Sequence, residues 1–277
     1  MKAALVQHDV VFEDPEATCA HLAPLVEAAA GQGAQLVVLT EMFATGFSMK
    51  AGRVAEPATG GVGMRFLFEM AAGTGAAVCG SLPVAEEIGS RPVNRFLCAF
   101  PDGRTVGYDK VHPFSYAGED KHYEAGSAVS TFHWEKTALT PFVCYDLRFS
   151  DLFWAMATCT DCYLVVSNWP SSRQGHFRAL AVARAIENQA FVLATNRVGT
   201  GGGLDYTGGT IAVGPSGEVL AEAGDSEETL LVDVNADTVR AVREAFPFLA
   251  DRRTFTIEPP GQDATPATTV GAPAVGK

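Results

Sequence analysis

The sequence is poor in charge. Of its 277 residues only 19% are Asp, Glu, Lys or Arg, against roughly 25% in ordinary soluble domains. No run approaches 18 apolar residues, so no bilayer-spanning helix is expected. Lys and Arg never cluster, and 20 basic residues face 32 acidic ones for a net charge of −12. Nucleic acid and anionic membranes both demand compensating cations, so neither is an expected partner. No secretory leader is expected either, since the opening MKAALVQHDV carries one lysine and only four apolar residues before Gln7. The expected location is therefore the cytoplasm. Metal ligation lacks its usual spacing, because no histidines pair at i, i+4 and Cys159-Thr160-Asp161-Cys162 has no second Cys pair. That motif also precedes a strand-like run instead of opening a helix, which favours structural over redox cysteines. Gly201-Gly202-Gly203 lacks the Lys-Ser/Thr ending of a phosphate loop and reads as a flexible loop near a pocket rim.

Apolar residues are plentiful, at 47% with 28 glycines besides, which fits one domain with a large core and excludes a disordered chain. The six cysteines (19, 79, 98, 144, 159 and 162) read as reduced thiols in a chain of this length without an export signal.

Two hydrophobic periods alternate. Strand-like runs occur at Ala3–Gln7, Leu36–Leu39, Ala76–Gly80, Phe96–Phe100, Leu139–Val143, Tyr163–Ser167, Phe191–Thr195, Gly209–Val213 and Leu230–Val234. Helical patterns cover Pro15–Ala30, Gly63–Ala72, Asp151–Thr158 and His176–Gln189. The alternation predicts an α/β fold. Turn signals at Pro101–Arg104 and Gly214–Gly217 predict hairpins, so the sheet is not purely parallel. Residues 1–257 read as one domain, and the Pro-, Ala-, Gly- and Thr-rich 258–277 as a mobile tail.

Three segments deliver reactive side chains at strand ends. In LVVLTEMFATGF a buried strand runs into Glu41, whose carboxylate needs a partner or a raised pKa in apolar surroundings. GYDKVHPF delivers Lys110 between Tyr108 and His112, the latter with a positional role. LTPFVCYDLRFSDLF ends a strand at Cys144, where backbone amides and a cation can lower a thiol pKa. A cysteine, a lysine and a glutamate supply nucleophile, cation and base for attack on a carbonyl carbon.

These residues resemble a known family. Glu41 in TEMFATGF, Lys110 in YDKVHPF and Cys144 in VCYDLRF look like the Glu-Lys-Cys triad of the nitrilase superfamily, the carbon–nitrogen hydrolases. SNWP, RAIENQ, NRVG and FPFLADRR extend the resemblance from Lys2 to about Arg253. EMFATGFSM, the AGED…HYEAG stretch and CYDLRF are most similar to the omega-amidase branch, which hydrolyses the terminal amide of dicarboxylic monoamides such as 2-oxoglutaramate and 2-oxosuccinamate.

The resemblance implies an α-β-β-α sandwich of two mixed sheets with helices outside, a homodimer or larger homo-oligomer, a small amide substrate and no cofactor. It implies that Glu41 acts as base, Cys144 as nucleophile, and Lys110 with the Tyr145 N–H as oxyanion donors. A second glutamate is implied at Glu119, with Glu124 as the alternative. Arg148, and less directly Arg173 and Tyr116, are candidates for holding the substrate carboxylate. Ser150 stands where relatives often carry proline, which bears on fine specificity. Nitrile, carbamoyl-amide or deaminated-glutathione hydrolysis on the same triad are the alternatives. A non-catalytic scaffold would need none of the three residues.

Overall fold

A computed structural model describes residues 1–87 and 89–255; the tail expected at 258–277 lies outside the described residues. Strand β1 (Lys2–Gln7) leads through helix α1 (Pro15–Gly31) to β2 (Leu36–Val38), parallel to β1. The start of α1 is local chemistry. Asp14 accepts from the Ala17 N–H at 3.0 Å, and Pro15 fills the first turn, where its lack of an N–H costs no helical bond. One-turn helix α2 (Ala51–Val54), strand β3 (Glu56–Pro57) and helix α3 (Val62–Thr74) precede β4 (Ala77–Ala85) and the hairpin β5 (Val93–Ala99) and β6 (Thr105–Asp109).

After one-turn helix α4 (Glu119–His122), β7 (Phe132–Trp134) and β8 (Thr137–Val143) begin a second sheet. Helix α5 (Ser150–Met156), β9 (Cys162–Val166), helix α6 (Gln174–Asn188) and β10 (Phe191–Thr195) extend it. A ribbon of β11 (Val198–Gly201) and β12 (Leu204–Thr207) follows, then β13 (Ile211–Val213) and β14 (Val219–Glu222). Strand β15 (Glu228–Asp233) returns to pair antiparallel with β1, and α7 (Ala236–Ala245) follows it.

The first sheet runs β15-β1-β2-β4-β5-β6 with β3 beside β4, and the second β14-β13-β10-β9-β8-β7. Both mix parallel centres with antiparallel flanks. Period-two alternation decides the layers. In β1, Ala3 and Leu5 join Leu139, Phe142 and Leu164 of the other sheet in one core, whereas Ala4 and Val6 pack with Leu22 and Val26 of α1 and Leu67 of α3. Phe153 of α5 and Phe177, Ala181 and Ala185 of α6 join the core that holds the second sheet. The expected α-β-β-α sandwich of two mixed sheets is the observed fold.

Boundaries differ where local chemistry intervened. The run expected to start at Gly209 becomes strand only at Ile211, because Gly208 and Gly209 take φ of 67° and 73°. The run expected to stop at Gly80 continues to Ala85 through Pro83, which pairs with Asn94. Helix α7 was not read in the sequence; Asn235 caps it by accepting from the Asp237 N–H, and of its ten residues only Ala236 and Val239 are buried. The glycine run at 201–203 is not a loose loop but the turn of the β11–β12 ribbon, with Gly202 and Gly203 at φ of 58° and 80°. Among the described residues no helix is long and apolar enough to cross a membrane.

Candidate active site

Glu41 follows β2, Lys110 follows β6 and Cys144 follows β8, so two sheets contribute to one cleft. The cleft is narrow and is lined by all three, with Phe47, Phe114, Tyr145, Arg148, Asn168, Trp169, Pro170, Arg173 and Leu204. Backbone strain marks two of the strand ends. Cys144 takes φ of 45° as it enters the 3₁₀ turn Cys144–Arg148, and Met42, next to Glu41, takes φ of 40°. Non-glycine residues adopt this left-handed region at a cost, and only where surrounding contacts hold them there.

Those contacts are present. Asp146, fully buried within the same turn, accepts from the Tyr108 hydroxyl at 2.7 Å, the His112 N–H at 2.9 Å and the Val143 N–H at 3.1 Å. The carboxylate thereby ties the Lys110 segment to the Cys144 turn. The positional role expected of His112 is played through Asp146, which Nδ1 also approaches at 3.0 Å.

Behind the cleft lies a buried ionic cluster. The Lys110 ammonium donates to Glu41 Oε1 at 2.8 Å and to Glu119 Oε2 at 2.8 Å, and all three side chains are at most 1% exposed. Burial alone would disfavour charge on Lys110, but the Glu119 and Glu41 carboxylates outweigh it and hold the ammonium well above the usual lysine range. For Glu119 burial prevails over the Lys110 attraction, with repulsion from Glu41 added, and its carboxyl is raised. Glu41 Oε2 accepts the Asn168 N–H at 2.9 Å, and Glu119 Oε2 the Phe114 N–H at 2.5 Å.

Cys144 departs from the expected direction. Burial first, and the facing Glu41 carboxylate second, push its thiol well above the usual range, outweighing the Lys110 charge and the Asn168 N–H. The reason is desolvation: a strand end under a packed cleft is not an exposed helix start. A protonated thiol needs a base before it can act as a nucleophile, and Glu41 is the carboxylate that faces it.

Of the two glutamates weighed for the second position, Glu119 is the one in the cluster, while Glu124 is exposed and pairs with Arg91 at 3.2 Å. Arg148 lies 4.6 Å over the Trp169 ring and Arg173 5.4 Å over the Phe114 ring, and neither has an acidic partner among the described residues. Tyr116 is not brought to the cleft; it stands 86% exposed, with its ring 5.8 Å from that of Phe114, which lines the cleft instead. Cys159 and Cys162 are free thiols, one exposed and one buried. Among the described residues no three His, Cys, Asp or Glu side chains could share a metal ion.

Sequence reasoning missed Asn94, Ser81, Asp146 and Asn168. Asp146 and Asn168 stood inside the quoted CYDLRF and SNWP segments, so the signal was there; Asn94, in an ordinary strand, carried none.

Comparison with known proteins agrees with this geometry. The carbon-nitrogen hydrolase family model matches residues 2–244. Omega-amidase YafV of Yersinia enterocolitica is 37% identical over 260 residues, covering 93% of this chain and 98% of that one. The 2-oxoglutaramate amidase of Bacillus subtilis is 30% identical over 223 residues, covering 79% and 85%. Among solved structures, a CN-hydrolase superfamily protein of Xanthomonas campestris with an arsenic adduct in its active site superposes with a TM-score of 0.86 at 34% identity, covering 93% of this chain and 99% of that one. The chain belongs to the carbon-nitrogen hydrolase family and is a hydrolase acting on amides.

Proposed function

We propose that this chain is an omega-amidase, releasing ammonia from the terminal amide of short dicarboxylic monoamides such as 2-oxoglutaramate or 2-oxosuccinamate. The observation that carries the reading is the joining of a base, a cation and a strained thiol in one cleft whose wall bears Arg148 and Arg173 without acidic partners. The names of the relatives from Yersinia enterocolitica and Bacillus subtilis support it.

In this mechanism Glu41 takes the Cys144 proton as sulfur bonds to the amide carbon. The carbonyl oxygen becomes an oxyanion, held by the Lys110 ammonium and the Tyr145 N–H. Glu41 returns the proton to nitrogen, the C–N bond breaks, and ammonia leaves a thioester on Cys144. Water then attacks the thioester while Glu41 accepts its proton; the C–S bond breaks, the thiol is restored and the product carries a second carboxylate. Glu119 anchors Lys110 and offers a second place for the proton. Arg148 grips the substrate's own carboxylate, assisted by Arg173. A homodimer belongs to the same proposal, and light scattering at twice the chain mass tests it.

The test is ammonia release from 2-oxoglutaramate, succinamate, glutaramate, glutamine, a carbamoyl amino acid and a simple nitrile, with Cys144→Ala as blank. Cys144-dependent release from the monoamides, with little from glutamine or the nitrile, is the expected result. Turnover of the nitrile or the carbamoyl compound alone would overturn the substrate assignment.

A further inference from the structure

Asn94 lies on β5, 1% exposed and without direct access to the cleft. Its single amide nitrogen donates to Glu41 Oε1 at 2.9 Å and to Glu119 Oε1 at 3.1 Å. Its side-chain oxygen accepts from the Ser81 hydroxyl at 2.8 Å, and Ser81 in turn accepts the Met42 N–H at 2.8 Å. Its backbone carbonyl accepts the Lys110 N–H at 3.0 Å.

The direction of this relay is fixed by chemistry. The Glu41 carboxylate can only accept, so the Asn94 amide nitrogen must face it; Oδ1 then faces Ser81, whose hydroxyl donates to it while a lone pair takes the Met42 N–H. The Asn94 amide is thereby oriented with both hydrogens toward the carboxylates. Two carboxylates at 0% exposure share one ammonium, so the remaining charge must be met by neutral donors. Asn94 gives one hydrogen to each, and beside Lys110 it forms the second bridge between the two Oε1 atoms.

We propose that Asn94, oriented by Ser81, is a positioning residue that holds Glu41 and Glu119 apart and favours the charged form of Glu41, so that the Cys144 proton has an empty carboxylate to go to. The proposal rests on the assignment of Glu41 as base. Donors to a carboxylate favour its charged form, so their loss raises the pH at which the base becomes competent. Other groups facing the pair are Lys110 from the end of β6, Cys144 from the turn after β8, Tyr123 from the segment after α4 and Tyr206 from β12. Each of these four is pushed above its ordinary range, so none of them changes its charge in acid.

The test is the pH profile of Asn94→Ala and Ser81→Ala, read twice. With substrate, the acid limb of kcat/KM moves up by about one pH unit in Asn94→Ala, and kcat falls about 10- to 100-fold with KM little changed. Ser81→Ala, which leaves Asn94 in place but frees its amide to rotate, moves the limb the same way by less. Without substrate, the pH dependence of Cys144 alkylation by iodoacetamide, read by mass spectrometry, shows the same displacement. That second reading separates the proposal from the substrate assignment, because it needs no amide turnover. A folded Asn94→Ala with an unmoved limb, or a loss confined to KM, overturns the proposal. If Asn94→Ala does not fold, an unmoved limb in Ser81→Ala overturns it alone.

Discussion

The ammonium of Lys110 and the carboxylate of Glu119 meet at 2.8 Å with neither side chain reaching water. The oxyanion role proposed for Lys110 requires it to stay charged while the reaction passes, and this pairing holds it protonated. Lys110→Met should therefore lower kcat far more than it raises KM, by about 100-fold or more. A variant changed only in KM contradicts the oxyanion role.

The same substitution should change the pH dependence of stability. Breaking a buried ion pair costs about 3–5 kcal/mol, because a charge is left uncompensated. Burial already raises the Glu119 carboxyl, and loss of Lys110 removes its main opposing influence. A carboxyl raised on folding stabilises the folded state at acid pH and loses that contribution as pH rises through the folded value. Urea denaturation of Lys110→Met should thus show a deficit against the parent that grows from pH 4.5 upward; a pH-independent deficit contradicts the argument.

The thiols should separate by reagent. Cys159 is exposed, whereas Cys144 is 9% exposed and its thiol is pushed up by burial and Glu41. A bulky aromatic disulfide should titrate Cys159 first, a reaction lost in Cys159→Ser. A small haloacetamide entering the cleft should label Cys144 with help from Glu41, and Glu41→Gln should slow that labelling about 10²-fold or more. Equal labelling with and without Glu41 contradicts its role as base.

The layers were legible in the sequence because β1, β2 and β9 carry periodic or continuous apolar runs that only a two-faced core accepts. Glu41 and Cys144 were legible as candidates because each follows such a run and Lys110 because it follows a hairpin, but only the resemblance of TEMFATGF, YDKVHPF and VCYDLRF to the carbon–nitrogen hydrolases joined them. What was hidden is tertiary. Asn94 acts on residues 53 and 25 positions away, and Asn168 reaches Glu41 across 127. The direction of the Cys144 pKa shift was hidden for the same reason: a local junction suggests an amide-stabilised thiolate, but folding buries the thiol and places Glu41 against it. Tyr116, a secondary candidate for the substrate carboxylate, stands exposed, and Phe114 two residues earlier lines the cleft instead.

Arg148 and Arg173 offer unpaired charge to a substrate, and their stacking on Trp169 and Phe114 fixes where that charge lies. Arg148→Met should raise KM for carboxylate-bearing amides by about 10- to 100-fold, the range expected for a charge-assisted hydrogen bond. Lys at this position should restore little, lacking the planar fork and the ring contact. An uncharged amide of the same length should be affected much less by either change, and equal losses on both would remove Arg148 from carboxylate recognition.

Asp146 supplies the last prediction, because its carboxylate satisfies three separate donors within the turn that carries the nucleophile. Asp146→Ala leaves the Tyr108 hydroxyl and the backbone N–H groups of His112 and Val143 without that acceptor in a buried place. Each unsatisfied donor costs about 1–3 kcal/mol, so the variant should lose about 3 kcal/mol or more in urea denaturation. Cys144 holds its left-handed conformation only as long as the turn is pinned. The residual folded enzyme should therefore lose kcat about 10- to 100-fold as well. Asp151→Asn, at an exposed position in the first turn of α5, serves as the control and should change neither quantity appreciably. If Asp146→Ala kept the parent's denaturation midpoint and turnover, the turn would be held by something other than this carboxylate, and the link it makes between Lys110 and Cys144 would carry no function.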